Sequence, residues 1–180
     1  MVKEPRLGRV KTRLARDIGA VRATWWFRHQ VAHLLRRIDD PRWRVVLAVA
    51  PDRAMDARVF PPRLPRIAQG GGNLGDRMAR VFDAARAPTL IIGADIPGVD
   101  RAAIADCLSR LRSHDAVLGP ALDGGFWAIG LRHPGRRHRT LFQDVRWSSE
   151  HALADTEATM QGLSIAYGPP LRDVDGADDL

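Results

Sequence analysis

A basic segment near the start of the chain carries residue types that bind phosphate. Residues 3–13 read KEPRLGRVKTR and contain both lysines of the protein, Lys3 and Lys11, together with Gly8 and Arg13. A lysine offers a compact, flexible ammonium that can reach a phosphate, and backbone amides next to a glycine can cradle the same anion. The G-x-x-x-x-G-K-[ST] spacing of nucleoside-triphosphate loops does not occur. The segment is either a phosphate-binding loop or an exposed charged loop.

A carboxylate follows an apolar run directly in the stretch GADIP, residues 93–97. Open α/β sheets bind their ligands at the carboxyl ends of the strands. Asp95 is therefore positioned to hold a divalent metal on a substrate diphosphate. The alternative interpretation is a turn that leads into a helix.

The sequence DGGFW, residues 123–127, lies between two apolar runs and predicts a hairpin. It would also bring Asp123 and the bare backbone of Gly124 and Gly125 near a ligand. Phe126 would then be available either to stack on the ligand or to pack.

Two carboxylates, Asp173 and Asp175, lie close to the C-terminus. They face the same way if the chain is extended there. They either bind metal or form a solvated edge.

The elements that must position these residues alternate between apolar runs and amphipathic helical patterns. This alternation predicts an α/β domain with a largely parallel sheet. The predicted strands are residues 45–50, 89–93, 116–119, 126–131 and 164–167. A long helix is predicted from Ala20 to Ile38, and further helices are predicted after caps at Asn73, Asp100 and Ser148 or Ser149. A central strand needs about five residues, so we expect a truncated first strand before the basic segment.

The amino-acid composition bears on the number of domains and argues against membrane, secreted and disulfide-bonded classes of protein. The 180 residues, of which 45% are hydrophobic, favour a single domain over residues 1–180. No apolar run approaches the roughly 18 residues of a membrane span, and no secretion leader is evident. A single cysteine, Cys107, excludes an intramolecular disulfide and most zinc sites. These features predict a cytoplasmic protein without a membrane partner.

The formal net charge of +7 raises the question of nucleic acid as a partner. The arginines are dispersed along the whole chain, however, and no nucleic-acid-binding motif accompanies them. The densest other cluster, RHPGRRHR at residues 132–139, contains Pro and Gly and is typical of a loop. A small polyanionic substrate accounts for the charge at least as well, so nucleic acid is disfavoured.

Taken together, the motifs resemble a family of bacterial glycosyltransferase-like proteins of the glycosyltransferase-A fold, often called arsenosugar-biosynthesis-type glycosyltransferases. The resemblance rests on residues 8–14 (GRVKTRL), 73–78 (NLGDRM), 93–97 (GADIP), 119–131 (GPALDGGFWAIGL), 145–149 (VRWSS) and 173–180 (DVDGADDL). More distantly, KTRL followed by D-x-P and D-G-G is similar to 2-phospholactate guanylyltransferases and molybdenum-cofactor guanylyltransferases. The family usually has Thr or Ser at the position of Ala94 and Tyr at that of Phe126, with a full first strand and residues beyond Leu180.

The resemblance implies a three-layer, mostly parallel Rossmann-like sheet of the nucleotide-diphospho-sugar transferase type, here with a truncated first strand. It implies Asp95 and Asp123 as catalytic residues and Asp95 and Asp175 as ligands of Mg²⁺ or Mn²⁺. The implied nucleotide- or phosphate-binding residues are Lys3, Gly8, Lys11, Arg13, Gly75 and Arg77. The implied substrate pocket comprises Gly124, Gly125, Phe126, Trp147 and Asp173.

Two reactions suit such a pocket. A glycosyltransferase would bind a nucleotide sugar and transfer the sugar to a small acceptor, whose hydroxyl needs a base such as Asp123 or Asp173. A nucleotidyltransferase would bind a nucleoside triphosphate, with Lys11 and Arg13 on the departing pyrophosphate, and would need no base for an anionic phosphate nucleophile. The nearly end-to-end resemblance favours the first reaction.

A third alternative is an inactive or nucleic-acid-associated binding protein. A shortened strand at the sheet also favours self-association as a homodimer.

Overall fold

The computed structural model describes residues 1–172. These residues form two compact units. Unit 1 contains Met1–Gln69 and Gly93–Arg101, and unit 2 contains Gly70–Ile92 and Ala102–Arg172. Each unit combines strands with helices, while a single domain over residues 1–180 stays a prediction. The predicted residues Asp173 and Asp175 lie outside the described residues.

The secondary structure alternates as the apolar pattern predicts. The strands within residues 1–172 are β1 (Val2–Lys3), β2 (Leu47–Ala50), β3 (Arg66–Ala68), β4 (Thr89–Ile92), β5 (Ala116–Pro120), β6 (Phe126–Leu131) and β7 (Ile165–Tyr167). The α-helices in the same range are α1 (Leu14–Ile18), α2 (Ala20–Arg37), α3 (Leu74–Ala84), α4 (Arg101–Arg110) and α5 (Ala152–Ala158). No helix of this described part combines the length and the apolar character needed to cross a bilayer.

Unit 1 contains a parallel sheet in the order β1-β2-β3. Strand β1 has only two residues, and both pair with β2, Val2 opposite Val49 and Lys3 opposite Ala50. The buried side chain of Gln69 strengthens this short edge, since its Nε2 donates hydrogen bonds to the carbonyls of Val2 at 3.2 Å and Ala48 at 2.7 Å. A side-chain amide thus supplements the backbone pairing that a two-residue strand lacks.

The helix that follows the basic segment is interrupted. Helix α1 spans five residues and ends at Gly19, whose φ of +86° is left-handed and open mainly to glycine. The long helix α2 begins only after that residue. The predicted long helix from Ala20 to Ile38 is therefore confirmed by α2, and the short helix α1, which Gly19 separates from it, was not predicted.

Helix α2 buries the predicted apolar face. Its buried residues at helical spacing are Ala23, Phe27, Val31, Leu34 and Leu35, and Ile38 at its C-cap is also buried. These side chains, like the four residues of β2, belong to the buried core.

Unit 2 contains a mixed sheet in the order β4-β6-β5-β7. Strand β6 runs antiparallel to both β4 and β5, whereas β5 and β7 are parallel. The antiparallel strand departs from the expected largely parallel sheet because a short turn after β5 returns the chain directly alongside it. The centre of this unit is occupied by Trp127, Phe82, Leu118 and Ile129, all nearly inaccessible to solvent.

Two of the predicted helix caps differ in outcome. Asn73 caps α3 in a full capping box, in which its side chain accepts from the Asp76 N–H and the Asp76 carboxylate accepts from the Asn73 N–H. The predicted cap at Ser148 or Ser149 is wrong, since α5 begins after His151 without a side-chain cap. The Ser149 hydroxyl instead donates to the carbonyl of Arg146 at 2.7 Å.

Candidate functional site

Unit 1 brings together two charged residues that the sequence singles out separately. The Nζ of Lys11 lies 2.9 Å from Oδ2 of Asp95. The Lys11 side chain is only 6% exposed, whereas that of Asp95 is 36% exposed. The ammonium also lies 5.8 Å from the ring centroid of Trp26. A carboxylate and an aromatic face thus compensate a positive charge that has been withdrawn from water.

The backbone of the basic segment supports this placement at some cost. Gly8 has a φ of +70° and Lys11 a φ of +45°. The left-handed region costs a residue with a Cβ roughly 1–2 kcal/mol. The Lys11 carbonyl accepts a hydrogen bond from the Ala15 N–H at 2.9 Å, which ties the segment to α1. Backbone strain of this kind concentrates at functional sites, which makes Lys11 the strongest functional candidate of the segment.

The other predicted phosphate-binding residues of unit 1 lie on the same segment but differ in burial. Lys3 ends β1, Arg13 precedes α1, and both are exposed, as is Gly8. Burial lowers the pKa of the Met1 α-amino group to about 6, and the negative charge of Asp95 opposes that lowering. In this unit the Asp95 carboxylate is thus paired with the Lys11 ammonium and interacts electrostatically with the Met1 amino group.

Asp95 fits a divalent cation as one ligand among several. Its partly exposed carboxylate supplies the hard oxygen that Mg²⁺ and Mn²⁺ prefer. Within residues 1–172, no three His, Cys, Asp or Glu side chains are grouped to hold a metal ion. Magnesium in proteins is often held by one or two carboxylates, with substrate phosphates completing the coordination. Asp95 fits that pattern, and Asp175 as a second ligand stays a prediction.

In unit 2, Asp123, Gly124 and Gly125 form the turn between β5 and β6, which confirms the predicted hairpin. Asp123 is exposed, and its Oδ1 accepts a hydrogen bond from the Gly125 N–H at 2.9 Å. Gly124 has a φ of +84°, and a Cβ at this position would lie 2.2 Å from the carbonyl oxygen of Glu150. Its own carbonyl accepts from the Leu153 N–H of α5 at 3.0 Å. Gly124 therefore serves the packing of the hairpin, while Asp123 remains accessible.

Trp147 belongs to a row of aromatic side chains in unit 2. Its ring centroid lies 6.3 Å from that of Phe126 and 6.1 Å from that of Phe142, which in turn lies 6.4 Å from Phe82. Such distances are typical of aromatic packing. Phe126 and Trp147 thus pack on each other, and neither is fully buried.

Gly75 and Arg77 lie in the first turns of α3, also in unit 2. A Cβ on Gly75 would lie 2.6 Å from the Cβ of Phe142 and 2.9 Å from Cζ2 of Trp147. The Arg77 Nε donates a hydrogen bond to the carbonyl of Gly72 at 3.1 Å. The close approach of α3 to the aromatic row therefore explains why residue 75 is a glycine, and that explanation needs no bound ligand.

Two supporting interactions could not be read from the sequence. Trp26 lies next to a buried Phe27 in the sequence, and nothing in its spacing indicates that its ring faces Lys11. The Arg146 guanidinium makes two hydrogen bonds of 2.8 Å to the Asp155 carboxylate beside Trp147. These bonds hold the pKa of Asp155 well below its usual range.

Comparison with solved structures places the fold. A crystal structure described as that of a putative nucleotide-diphospho-sugar transferase from Desulfovibrio desulfuricans G20 matches with a TM-score of 0.83 and 29% identity, covering 97% of this chain and 80% of that chain. The crystal structure of the Mycobacterium sp. strain JC1 homologue of Mycobacterium tuberculosis Rv0371c matches with a TM-score of 0.51 and 14% identity. This match covers 85% of this chain and 78% of that chain. The chain thus has an α/β fold structurally like that putative nucleotide-diphospho-sugar transferase, with a parallel sheet in unit 1 and a mixed sheet in unit 2.

The model of the family described as "Uncharacterized protein conserved in bacteria (DUF2064)" matches residues 33–149, more than half of the chain. The matched range includes Asp95 and the Asp123 turn, whereas Lys11 precedes it. No functionally curated protein matches the sequence significantly.

Proposed function

The chain belongs to the bacterial DUF2064 family, and we propose that it is a metal-dependent glycosyltransferase-like enzyme of the glycosyltransferase-A fold. It would bind a nucleotide-diphosphate sugar and transfer the sugar to a small acceptor. The observation that carries this proposal is the buried Lys11 ammonium on the Asp95 carboxylate. The likeness of the fold to a structure described as that of a putative nucleotide-diphospho-sugar transferase supports the choice of ligand.

We assign Lys11 to the diphosphate of the donor. An ammonium that already lies in a shielded position beside a carboxylate needs little reorganisation to interact with a phosphate oxygen. Arg13 and the backbone near Gly8 are exposed on the same segment and would share that charge. As the sugar leaves, negative charge grows on the departing nucleotide, and these positive groups would stabilise it.

We assign Asp95 to Mg²⁺ or Mn²⁺, with Asp175 as the second proposed ligand. When bound, the metal would neutralise the diphosphate as a Lewis acid. Lys11 would yield Oδ2 of Asp95, which lies 2.9 Å from its Nζ, and turn to the phosphate instead. Binding of metal at Asp95 and of phosphate at Lys11 should therefore be cooperative. The metal takes the place of the ammonium beside Asp95, and the phosphate takes the place of the carboxylate beside Lys11.

We assign Asp123 as the base that accepts the proton of the acceptor hydroxyl. Its side chain is exposed on a hairpin that packs against α5, and one of its oxygens is oriented by the Gly125 N–H. Asp173 stays the alternative base, and Phe126 and Trp147 stay the predicted walls of the substrate pocket.

Ligand-dependent melting provides the test. The wild-type protein should be stabilised by a UDP- or GDP-sugar only when Mg²⁺ or Mn²⁺ is present, since binding to the native state raises the melting temperature. Lys11→Met keeps the aliphatic stem against Trp26 and removes the ammonium, and Asp95→Asn removes the metal ligand's charge. Both variants should lose the shift. Arg53→Ala, an exposed arginine without a described partner, is the matched control and should keep it.

The outcomes separate the candidate reactions. A shift with a nucleoside triphosphate but with no sugar nucleotide would favour nucleotidyl transfer, for which the same Lys11–Asp95 pair would contact the pyrophosphate. A protein that melts cooperatively and responds to none of these ligands would contradict both reactions.

A further inference from the structure

A second group of positive side chains lies in unit 2, outside the proposed transferase site. Residues 132–139 contain four arginines and two histidines and no carboxylate. This segment follows β6 and forms a short 3₁₀ turn at Pro134–Arg136. The Arg137 guanidinium anchors it to α3 through two hydrogen bonds to the Asp83 carboxylate, at 2.9 Å and 2.7 Å. This ion pair holds the segment against α3.

The anchored segment borders a cavity of about 180 Å³. The cavity is lined by two apolar side chains, Leu131 and Leu163, and by five polar or charged ones, His133, Arg136, His138, Arg137 and Asp115. Asp115 directly precedes β5, and Leu131 ends β6. The cavity therefore opens at the opposite end of this ladder from the Asp123 turn, about 17 Å away along the strands.

Two of the charged groups at the cavity already have partners within the described residues. Arg137 is neutralised by Asp83. The Asp115 carboxylate is hydrogen-bonded by Ser164, whose N–H and hydroxyl both donate to Oδ2 of Asp115, at 3.0 Å and 2.6 Å. These hydrogen bonds, with Arg132 and His133 nearby, lower the pKa of Asp115.

The side chains of His133, Arg136 and His138 make no hydrogen bond with any residue in 1–172. They are therefore unused donors at a concave surface whose one lining carboxylate, Asp115, already accepts two hydrogen bonds from Ser164. An arginine fork beside imidazole N–H groups suits the oxygens of a phosphate. The apolar side chains of Leu131 and Leu163 suit the carbon skeleton that such a phosphate would carry.

We propose that this cavity binds the phosphate group of a small phosphorylated compound, with Arg136, His133 and His138 as the ligands of the phosphate. The cavity shares no residue with the proposed transferase site, and within unit 2 it lies at the other end of the β5–β6 ladder from the Asp123 turn.

The test uses calorimetric titration at constant ionic strength, with inorganic phosphate, ribose 5-phosphate and uncharged ribose as probes. Phosphate should bind with a dissociation constant of about 1 mM or tighter, ribose 5-phosphate should bind more tightly, and ribose should not bind. Arg136→Ala should weaken phosphate binding about tenfold, the size expected for one charge-assisted hydrogen bond. Arg58→Ala, which removes an exposed arginine of unit 1, should leave phosphate binding unchanged.

Amide resonances separate this site from the basic segment of residues 3–13. Phosphate should shift the resonances of residues 131–138 in the wild type and not in Arg136→Ala. Shifts confined to residues 3–13, or equal affinity in all variants, would overturn the proposal. Tight binding of a short oligonucleotide at residues 131–138, with an affinity that falls steeply with salt, would also overturn the small-ligand assignment.

Discussion

At the scale of single residues, Lys11 has the most unusual surroundings in the basic segment. Its ammonium is buried against Asp95 and Trp26, and its backbone is left-handed. The sequence indicates the residue because only two lysines occur in an arginine-rich chain. The structure adds the reason why it could matter, which is a shielded positive charge beside a carboxylate.

Because the backbone of Lys11 is left-handed, two substitutions there can distinguish an effect on stability from an effect on binding. Lys11→Gly and Lys11→Ala both remove the ammonium, but only glycine adopts a φ of +45° without a Cβ penalty. We expect Lys11→Gly to be more stable than Lys11→Ala by about 1 kcal/mol in urea unfolding, while both lose metal-dependent nucleotide-sugar binding. Equal stabilities would mean that the segment changes conformation when the ion pair is lost.

Cys107 is a residue whose role is packing. Its side chain is fully buried in unit 2, and a Cβ on Gly168 would lie only 2.5 Å from its Sγ. We expect Gly168→Ala to destabilise the protein by about 1–3 kcal/mol through overpacking. Combining it with Cys107→Ala should recover much of that loss, because the smaller side chain makes room. Additive effects in this double-mutant cycle would contradict the direct contact.

The same burial raises the pKa of the Cys107 thiol to about 12. The neutral thiol is thereby favoured in the folded state, so its contribution to stability is complete below the unfolded pKa of about 8.5 and declines as the pH rises above it. We expect iodoacetamide at pH 8 to modify Cys107 no faster than the protein unfolds, as followed by mass spectrometry. Rapid modification of the folded protein would show that the thiol is accessible.

At the scale of elements, α3 and the loop before α5 show two ways to begin a helix. The capping box of Asn73 and Asp76 satisfies N–H groups that would otherwise lack partners at the start of α3. We expect Asn73→Ala to cost about 1 kcal/mol of unfolding free energy. Ser148→Ala is the control, since Ser148 lies before α5 without capping it, and it should change stability by no more than about 0.5 kcal/mol.

The loop that carries Trp147 is held by the bidentate pair of Arg146 and Asp155. Because the pKa of Asp155 is depressed, the pair contributes above the unfolded carboxyl pKa of about 3.9 and is lost only as the pH falls through the lower folded value. We expect the Trp147 indole N–H resonance to stay in place down to about pH 4, and Asp155→Asn to shift it at neutral pH. A wild-type transition between pH 5 and 6 would contradict this assignment.

At the scale of the whole molecule, the net charge of +7 is distributed over many arginines. Such a charge attracts any polyanion weakly, while the proposed ligands bind through a few oriented groups. We expect a short DNA duplex to bind no more tightly than about 10⁻⁶ M at physiological salt, with a steep salt dependence. Binding of a sugar nucleotide should depend much less on salt. Sequence-specific binding of DNA would instead support the nucleic-acid-associated alternative.

Much of the secondary structure follows from the sequence, because local apolar patterns decide it. Strand β6 matches its predicted bounds, and β4, β5 and β7 match within one residue. The break at Gly19 does not follow from the sequence, because the apolar spacing of α2 gives no sign that α1 precedes it as a separate turn. The predicted Ser cap of α5 is wrong because capping depends on the backbone geometry before the helix, which the sequence does not reveal.

The sequence by itself determined the α/β class, the hairpin at Asp123 and the residue types suited to phosphate and metal, since each is expressed over a few neighbouring residues. The tertiary structure alone decided that Lys11 contacts Asp95, that Gly75 and Gly124 serve packing, and that Arg136 and two histidines border one cavity. These contacts join residues far apart in the chain, and burial, charge and close approach depend on how the chain folds back on itself.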